Sequence, residues 1–471
     1  MSPKLRKWAR RGALGLCLSV ALVLFLHFAV RVACRIEAPL VVAPEGVLRS
    51  EGKARSFGAS FVIERPPLLE VHLRGDPVAI GYAQAKLLYP WMVENEGVLL
   101  DAFREAVPTS VLRFALLDLA QLRYRNVADG FSADRRGEIA AGALAFQPDP
   151  YQGLFPTFQR FAYLNALYDI ALSFEHSPLV GCTTFVFSGE RAAGGGSLLA
   201  RAFDFEIDIF DRRKAVFFVE ETGKIPFASV AWPGLVGVVS GMNREGVAVV
   251  VHGGRAGETR TVGEPVVHAL RRVLATARTT DEALRALSER EPLVSHILIL
   301  TDGAGHAVRV ERVPGKQDYV VPLAMAEAVT NHFVGPAATD PKNLVVRDQT
   351  STIPRKKRAD ELIRRSTAPL DAAGAVGLLR DRRGEGDREL PLGDRRAIDA
   401  LIAAHGVIMD TGRRVLWVSE APHLLGRFVA FDLNRVFAPD YDARSVAFPS
   451  LPADELLTSG AYARHQSGRA D

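Results

Sequence analysis

The side chain best suited to chemistry is a lone thiol. The chain has three cysteines, and Cys17 and Cys34 lie in or beside an N-terminal hydrophobic segment. Cys182 is therefore the only cysteine after residue 34. It stands in Leu179-Val180-Gly181-Cys182-Thr183-Thr184-Phe185-Val186-Phe187, a Gly-Cys step that opens a run of strand formers. A lone cysteine in an exported domain has no partner for an internal disulfide, so it is either a small buried hydrophobe or a reactive group. The run Arg191-Ala-Ala-Gly-Gly-Gly196 reads as a hairpin turn. If the chain reverses near 191–193, Cys182 falls opposite 201–204 on a neighbouring strand ~4.8 Å away. That brings Arg201 and Asp204 to the thiol. A guanidinium there lowers a thiol pKa, and a carboxylate can orient the arginine or bind an amine. The plainer alternative is a surface ion pair worth ~0–1 kcal/mol. His252, His332 and His405 are the candidate bases if the protein is instead an uncleaved Cys-His thiol enzyme.

The elements that must position these residues follow from periodicity. Alternation predicts strands at 57–63 and 68–73, with Pro66-Pro67 between them and a turn at Gly75-Asp76-Pro77. Helical spacing follows at 80–98, kinked or broken at Pro90. It recurs at 111–124, with Leu112, Ala115, Leu116, Leu119 and Leu122 on one face, and at 158–174, with Pro178 at the exit. After Cys182 the pattern turns to strands at 183–187, 197–205, 216–219, 227–231, 235–240 and 247–252. Helices are expected at 264–277 and 279–288, the second opened by Thr279-Thr-Asp-Glu282 at capping-box spacing. A hairpin at 296–301 and 306–313 turns at Asp302-Gly303. Helices at 358–365 and 395–404, a charge-dense loop at 380–396 and strands at 407–410, 415–419 and 428–431 complete the chain. Antiparallel hairpins with grouped helices indicate an α+β sandwich, not a doubly wound fold.

Composition excludes several classes. The chain of 471 residues is 48% hydrophobic and 24% charged, a globular balance. The net charge of +4 does not mark a nucleic-acid binder, because Lys4, Arg6, Lys7, Arg10 and Arg11 supply five positive charges and leave the rest near −1. Those charges precede an apolar run from Gly12 to Val30, whose 19 residues reach about 28 Å as a helix. Positive flanks stay cytoplasmic. The run exceeds a usual signal-peptide core of ~7–15 residues, and no small-x-small site follows it. An uncleaved transmembrane anchor is favoured over a cleaved signal segment, with the domain outside the cytoplasm in either case. The organisation expected is 1–11 basic flank, 12–34 membrane or signal segment, 35–56 linker, 57–181 mainly helical first part and 182–471 nucleophile-bearing part. No GxGxxG, Walker A, HExxH, CxxC or G-x-S-x-G motif is present, so neither cofactor nor metal is expected.

Gly181-Cys182-Thr183-Thr184-Phe185, followed by Leu199-Ala-Arg201-Ala-Phe-Asp204-Phe-Glu206, resembles the N-terminal-nucleophile cysteine hydrolases. These include bile salt hydrolases, penicillin V acylases, acid-ceramidase-like amidases and, nearest in pattern, the penicillin acyltransferase group. Trp232-Pro-Gly-Leu-Val-Gly237, Gly241-Met-Asn243-Arg-Glu-Gly246 and Val329-Thr-Asn331-His332-Phe333 are similar to that family's later blocks. The resemblance implies a four-layer αββα sandwich and self-cleavage between Gly181 and Cys182. It implies action on a small-molecule amide or acyl substrate at a non-peptide C–N bond, through an acyl-thioester. It assigns Arg201 to the thiol, Asp204 to the new α-amine and Asn331 to the oxyanion. The family's later arginine is Arg355 or Arg358, with Arg358 preferred. Where relatives carry an oxyanion asparagine, this chain reads Val251-His252-Gly253-Gly254, so His252 or the Gly253 N–H would substitute. Two other readings remain: the uncleaved Cys-His enzyme, and a non-catalytic exported binding domain with an inert, buried Cys182.

Overall fold

The computed structural model describes residues 3–173, 180–205 and 209–467. Phe174, Pro178, Leu179 and Glu206, which the sequence reading used, lie outside the described residues. Two sheets carry the architecture. The larger has eleven strands in the spatial order Arg49–Glu51, Ala54–Phe57, Ser60–Arg65, Leu68–Gly75, Ala215–Glu221, Phe227–Ala231, Ser240–Asn243, Ala248–Gly253, His296–Thr301, Ala307–Arg312 and Tyr319–Pro322. The smaller has seven: Ala326–Val329, Val180–Ser188, Ser197–Phe205, Ala403–Asp410, Val415–Ser419, Phe428–Asp432 and Ser450–Leu451. One pairing is parallel: Leu68–Gly75 lies beside Ala215–Glu221, with Leu69 facing Ala215 and Gly75 facing Glu221. That seam joins the chain before Cys182 to the chain after it.

Alternation along the strands sorts the apolar side chains into three cores. Val71, Leu73, Phe217, Val249, Val251 and Leu298 pack under helices that include α2 (Pro77–Ala106) and Val266–Thr276. Their strand neighbours Val216, Phe218, Val250, Ile297 and Ile299 point the other way and meet Val186, Leu199, Val407 and Val418 of the smaller sheet. Phe185, Phe187, Leu198 and Ile408 face outward again, onto Ala359, Ala375, Val376 and Leu379 of the helices Thr352–Arg365 and Ala372–Leu379. Strands buried on both faces explain the unbroken apolar runs in the sequence. A buried ion-pair network fastens the helices to the larger sheet: Arg135 pairs with Glu138 and, at 2.6 Å, with Glu221, while Arg271 reaches Glu138 at 2.7 Å and Glu221 at 3.0 Å.

The structure departs from the sequence reading at several elements. The segment 35–56 is not only linker, since Arg49–Glu51 and Ala54–Phe57 are strands, and the part before Cys182 supplies four strands of the larger sheet. α2 runs unbroken through Pro90, held by the burial of Leu87, Leu88 and Met92 and capped by Asp76, which accepts from the Ala79 N–H at 2.8 Å. The expected strand at 235–240 shrinks to Ser240–Asn243, because the Val236 and Val238 N–H groups donate to Asn165 Oδ1 and Val267 O instead of a sheet neighbour. No helix forms at 395–404: Leu401 takes φ +54°, which an α-helix cannot contain, and the strand Ala403–Asp410 begins just after it. The helix placed at 358–365 begins earlier, at Thr352, with Pro354 in its first turn where the missing N–H costs nothing.

The N-terminal helix α1 (Pro3–Ala33) is long and apolar enough to cross a membrane, a test that a signal sequence also passes. α3 (Ser110–Tyr124) forms as expected, yet its apolar face is exposed: Leu112, Leu116, Leu119 and Leu122 are not part of any core.

Candidate active site

The first hairpin fixes the site by local geometry. Gly195 and Gly196 take φ +68° and +60° at its turn, a region open to glycine at little cost. The two strands then pair Gly181 with Asp204, Cys182 with Phe203 and Thr184 with Arg201. Strand alternation puts Arg201 and Phe203 on the Cys182 face and Asp204 on the other, beside Gly181. A Cβ at position 181 would meet Asp204 Oδ2 at 3.1 Å, so glycine lets the carboxyl approach the 181–182 peptide.

Arg201 is wholly buried; its Nη1 and Nη2 groups find acceptors, while among the described residues its Nε finds none. Nη2 donates to Cys182 Sγ at 3.2 Å and to Val251 O; Nη1 donates to Val239 O at 2.8 Å and to Ser240 Oγ. Its guanidinium carbon stands 4.4 Å above the centre of the Phe203 ring. Charge-assisted bonds of this kind are worth about 1.5–3 kcal/mol each.

Asn331 arrives from the other side of Val180–Ser188. The strand Ala326–Val329 pairs Val329 with Thr184, so two residues on Asn331 reaches the level of Cys182. Its Oδ1 accepts the Cys182 N–H at 2.8 Å, and its Nδ2 donates to Gly253 O at 3.1 Å. The Gly253 bond uses one of the two Nδ2 hydrogens. The Asn331 N–H donates to Thr352 Oγ1 at 2.9 Å, which docks the start of the Thr352–Arg365 helix against the site.

That docking selects the arginine. Arg355, one turn into the helix, donates through Nη1 to Cys182 O and, at 2.8 Å, to Thr183 Oγ1; its Nη2 donates to Asn331 Oδ1 at 2.9 Å. Arg358, preferred from the sequence, points elsewhere. It pairs with Asp381 at 2.7 Å and with Glu361 at 2.9 Å. The preference for Arg358 is corrected on this geometry, since three residues of helix turn the side chain about 300° round the axis and onto another neighbour.

The electrostatics also differ from expectation. Arg201 and Arg355 pull the Cys182 thiol pKa down, but burial is the larger cause and Asp204 adds to it, so in the continuous chain the thiol lies above its ordinary value. The Asp204 carboxyl is likewise pushed up by burial, against the pull of Arg355, Arg395 and Arg201, and among the described residues its Oδ1 has no hydrogen-bond partner. His252 is held neutral: burial, with Arg201 and Arg355 nearby, drives its pKa well below the usual imidazole value. Its Nε2 is engaged with Thr184 Oγ1 at 2.7 Å. His405 bonds Ser240 Oγ at 2.9 Å and stacks on Phe203, while His332 bonds Thr352 Oγ1 at 3.1 Å. Among the described residues, none of these histidines bonds Cys182 Sγ.

A cavity of about 330 Å³ touches Gly181, Asp204, Gly253, Asn331 and Arg355. A smaller apolar one, of about 90 Å³, is lined by Tyr168, Phe203, Phe210 and Trp232. Tyr168 was not read from the sequence. Its hydroxyl is buried without a partner among the described residues, and burial, then the Cys182 charge, push its pKa well above the usual phenol. No motif marks it. Ser240, Thr183 and Thr352 were missed for the same reason: each acts through a partner distant in sequence. Among the described residues no group of His, Cys, Asp or Glu is arranged to hold a metal ion.

Residues 191–390 match the family model described as acyl-coenzyme A:6-aminopenicillanic acid acyl-transferase. No curated protein matches the chain. Among solved structures, penicillin V acylase from Agrobacterium tumefaciens aligns at 18% identity and TM-score 0.38, covering 57% of this chain and 91% of that one. The N-acylethanolamine-hydrolyzing acid amidase ortholog of Caenorhabditis elegans aligns at 16% identity and TM-score 0.35, covering 49% and 93%. A point mutant of conjugated bile acid hydrolase from Clostridium perfringens aligns at 12% identity and TM-score 0.37, covering 58% and 97%. The family match, over less than half of the chain, is to an acyltransferase. The chain's resemblance to the penicillin acyltransferase group of N-terminal-nucleophile hydrolases is thus shown over 191–390, a stretch that holds Arg201, Asp204, His252, Asn331, Arg355 and Arg358 and begins just after Cys182.

Proposed function

We propose that the chain is an N-terminal-nucleophile cysteine amidohydrolase or acyltransferase. It cuts itself between Gly181 and Cys182 and then acts on a non-peptide C–N amide of a small molecule through an acyl-thioester. The observation that carries this reading is Arg201 Nη2 lying 3.2 Å from Cys182 Sγ, on a cysteine whose own N–H is held by Asn331. In the first stage Sγ attacks the carbonyl carbon of Gly181. The C–N bond breaks as the thiol proton passes to the Cys182 nitrogen, leaving Gly181 as a thioester on sulfur. Water hydrolyses that ester, so Gly181 ends in a carboxylate and Cys182 in a free α-amine and thiol.

The α-amine, with a reference pKa of ~7.7–8, is a base for its own thiol. Asp204 lies beside the new terminus and stabilises its charged form. The thiolate, held by Arg201, attacks the substrate carbonyl. The second Nδ2 hydrogen of Asn331 and the Gly253 N–H are the oxyanion donors, in place of His252, whose Nε2 is engaged with Thr184. The amine leaves with the α-amine's proton, and water or an acceptor amine or thiol releases the acyl group. Arg355 is a positioning residue that orients the Asn331 amide and the Cys182 carbonyl.

The same reading includes the four-layer αββα arrangement, which the three separate cores support. It also includes α1 as an anchor that leaves the catalytic domain outside the cytoplasm, supported by the five positive charges before the apolar run. After the cut the two parts stay joined, because Leu68–Gly75 of the first part remains paired with Ala215–Glu221 of the second. The test is the mass and N-terminal sequence of purified wild-type protein beside Cys182→Ala. The expected result is a fragment beginning at Cys182 in the wild type and an intact, inactive variant. A wild-type chain still whole after long incubation at neutral pH would falsify the mechanism.

A further inference from the structure

α3 inverts the usual arrangement of a surface helix. Its charged residues are Arg113, Asp118 and Arg123, and all three turn back to the protein. Arg113 Nη1 donates to the Val107 and Pro108 carbonyls, each at 2.7 Å. Asp118 bonds His27 of α1 at 2.8 Å. Arg123 Nη2 donates to Thr259 O at 3.0 Å. What remains for solvent is Val111, Leu112, Leu116, Leu119 and Leu122, exposed at 71, 51, 38, 60 and 40%. An apolar stripe of this length on a helix whose charges point inward fits an apolar surrounding, not water.

Two observations say what that surrounding is. α1 packs on α3 through the His27–Asp118 bond and an edge-on His27–Phe114 ring contact, centroids 5.6 Å apart. His27 lies three residues before Val30, the end of the apolar run, so the contact is about 5 Å from that end at 1.5 Å per residue. A membrane-inserted α1 therefore brings α3 to the level where the hydrocarbon stops. Behind α3 is a cavity of about 470 Å³ lined by Leu100, Phe103, Leu117, Phe155 and Ile170. It shares Leu99, Leu164 and Leu167 with the smaller cavity that ends at Phe203, the register partner of Cys182.

We infer that α3 is a second membrane contact of this chain: it lies along the bilayer interface with its Val111, Leu112, Leu116, Leu119 and Leu122 stripe among the lipid acyl chains, and the cavity behind it opens toward that hydrocarbon. This goes beyond the proposed reaction and rests on the reading of α1 as a membrane anchor. The test uses the full chain reconstituted in phosphatidylcholine nanodiscs in which a fraction of the lipid carries a photoactivatable diazirine on its acyl chain. After illumination, mass spectrometry is expected to place lipid adducts in both α1 and the peptide 110–124. A second measurement uses Leu119→Trp and, as a control, Leu392→Trp in the 388–396 loop. Lipid brominated on the acyl chain is expected to quench the added Leu119→Trp emission by more than half and to leave that of Leu392→Trp unchanged. Adducts confined to α1 with unquenched Leu119→Trp emission overturn the proposal. So do crosslinks joining two copies through 110–124 without lipid adducts, which assign the face to a second copy.

Discussion

Around Cys182 the side chains of Arg201 and Arg355 are 0% and 3% exposed, whereas on α3 Val111 and Leu119 stand 71% and 60% exposed. These two regions depart from ordinary sorting in opposite senses. Burying a guanidinium is costly unless its donors find acceptors. Here the Nη donors do, in Val239 O, Val251 O, Cys182 O and Asn331 Oδ1, contributed by segments far apart in the chain. A hydrophobic filling would stabilise such a position as well or better. What the fold buries beside Cys182 is nevertheless a pair of cations, one bonded to its Sγ and the other to its carbonyl oxygen. On α3 the opposite holds: charges are tied inward and leucines left outside, which stabilises nothing in water.

The contrast breaks most sharply at Arg355. Arg355→Ala is expected to lower self-cleavage and turnover by about 100-fold or more, equivalent to ~2.7 kcal/mol in the barrier. Arg358→Ala, one turn further along the same helix, should cut and turn over as the wild type does while losing about 1–3 kcal/mol of stability with its buried ion pairs. Urea unfolding and the rate of fragment appearance measure the two effects. Equal loss of cleavage in both variants would return the choice to Arg358.

Arg201→Ala should raise the thiol pKa further, because burial and Asp204 push it upward and Arg355 is then left to oppose them without Arg201. The rate of thiol alkylation against pH should then shift to higher pH, with about tenfold slower labelling near neutrality. Arg201→Lys should recover part of it, since an ammonium keeps the charge but not the fork. A labelling profile that superimposes on the wild type would make Arg201 a packing residue only.

A milder expectation concerns pH. Buried His268 and His296 are pushed down to about 3, and His332 to about 4, in each case mainly by burial. Unfolded, each titrates near 6.5. Below that value the unfolded chain binds more protons, so the stability these groups contribute is full above pH 6.5 and is lost as pH falls through the window toward 3. The slope is at most about 1.4 kcal/mol per pH unit for each histidine. Tm measured from pH 7 to 4 should fall, and His268→Phe should flatten the fall; a flat wild-type curve contradicts the assignment.

The smallest effect belongs to the other region. Leu119→Ser on detergent-solubilised protein should change unfolding free energy by no more than about 0.5 kcal/mol, because an exposed leucine removes no packing. A loss above about 2 kcal/mol would show that α3 is packed and erase the comparison.

The legible parts of this protein are those set within about twenty residues of chain. The reversal near Gly195 and Gly196 places Arg201 and Asp204 across from Cys182 and Gly181 because antiparallel register is fixed by the turn. The apolar run after five positive charges announces α1 in the same local way. Pro90 misled because local propensity disfavours proline within a helix, whereas burial of its neighbours on the larger sheet outweighs it. The 111–124 pattern had the right period, but periodicity says which residues share a face and not what that face meets.

Sequence alone therefore determined the α+β character, the hairpin that carries the thiol, and the residues gathered by it. The tertiary structure decided the rest: Arg355 over Arg358, the capture of the Cys182 N–H by Asn331, the engagement of His252 with Thr184, and the exposure of α3. The reason is range. Cys182 and Asn331 are 149 residues apart, and Cys182 and Arg355 are 173. Which of two arginines a helix turn apart reaches the Cys182 carbonyl and Asn331 depends on how the Thr352–Arg365 helix docks on the smaller sheet, through Ala359 in its core and Asn331 on Thr352. Packing of elements this distant is settled by side-chain fit and polar satisfaction across the whole core, and no local pattern in the chain encodes it.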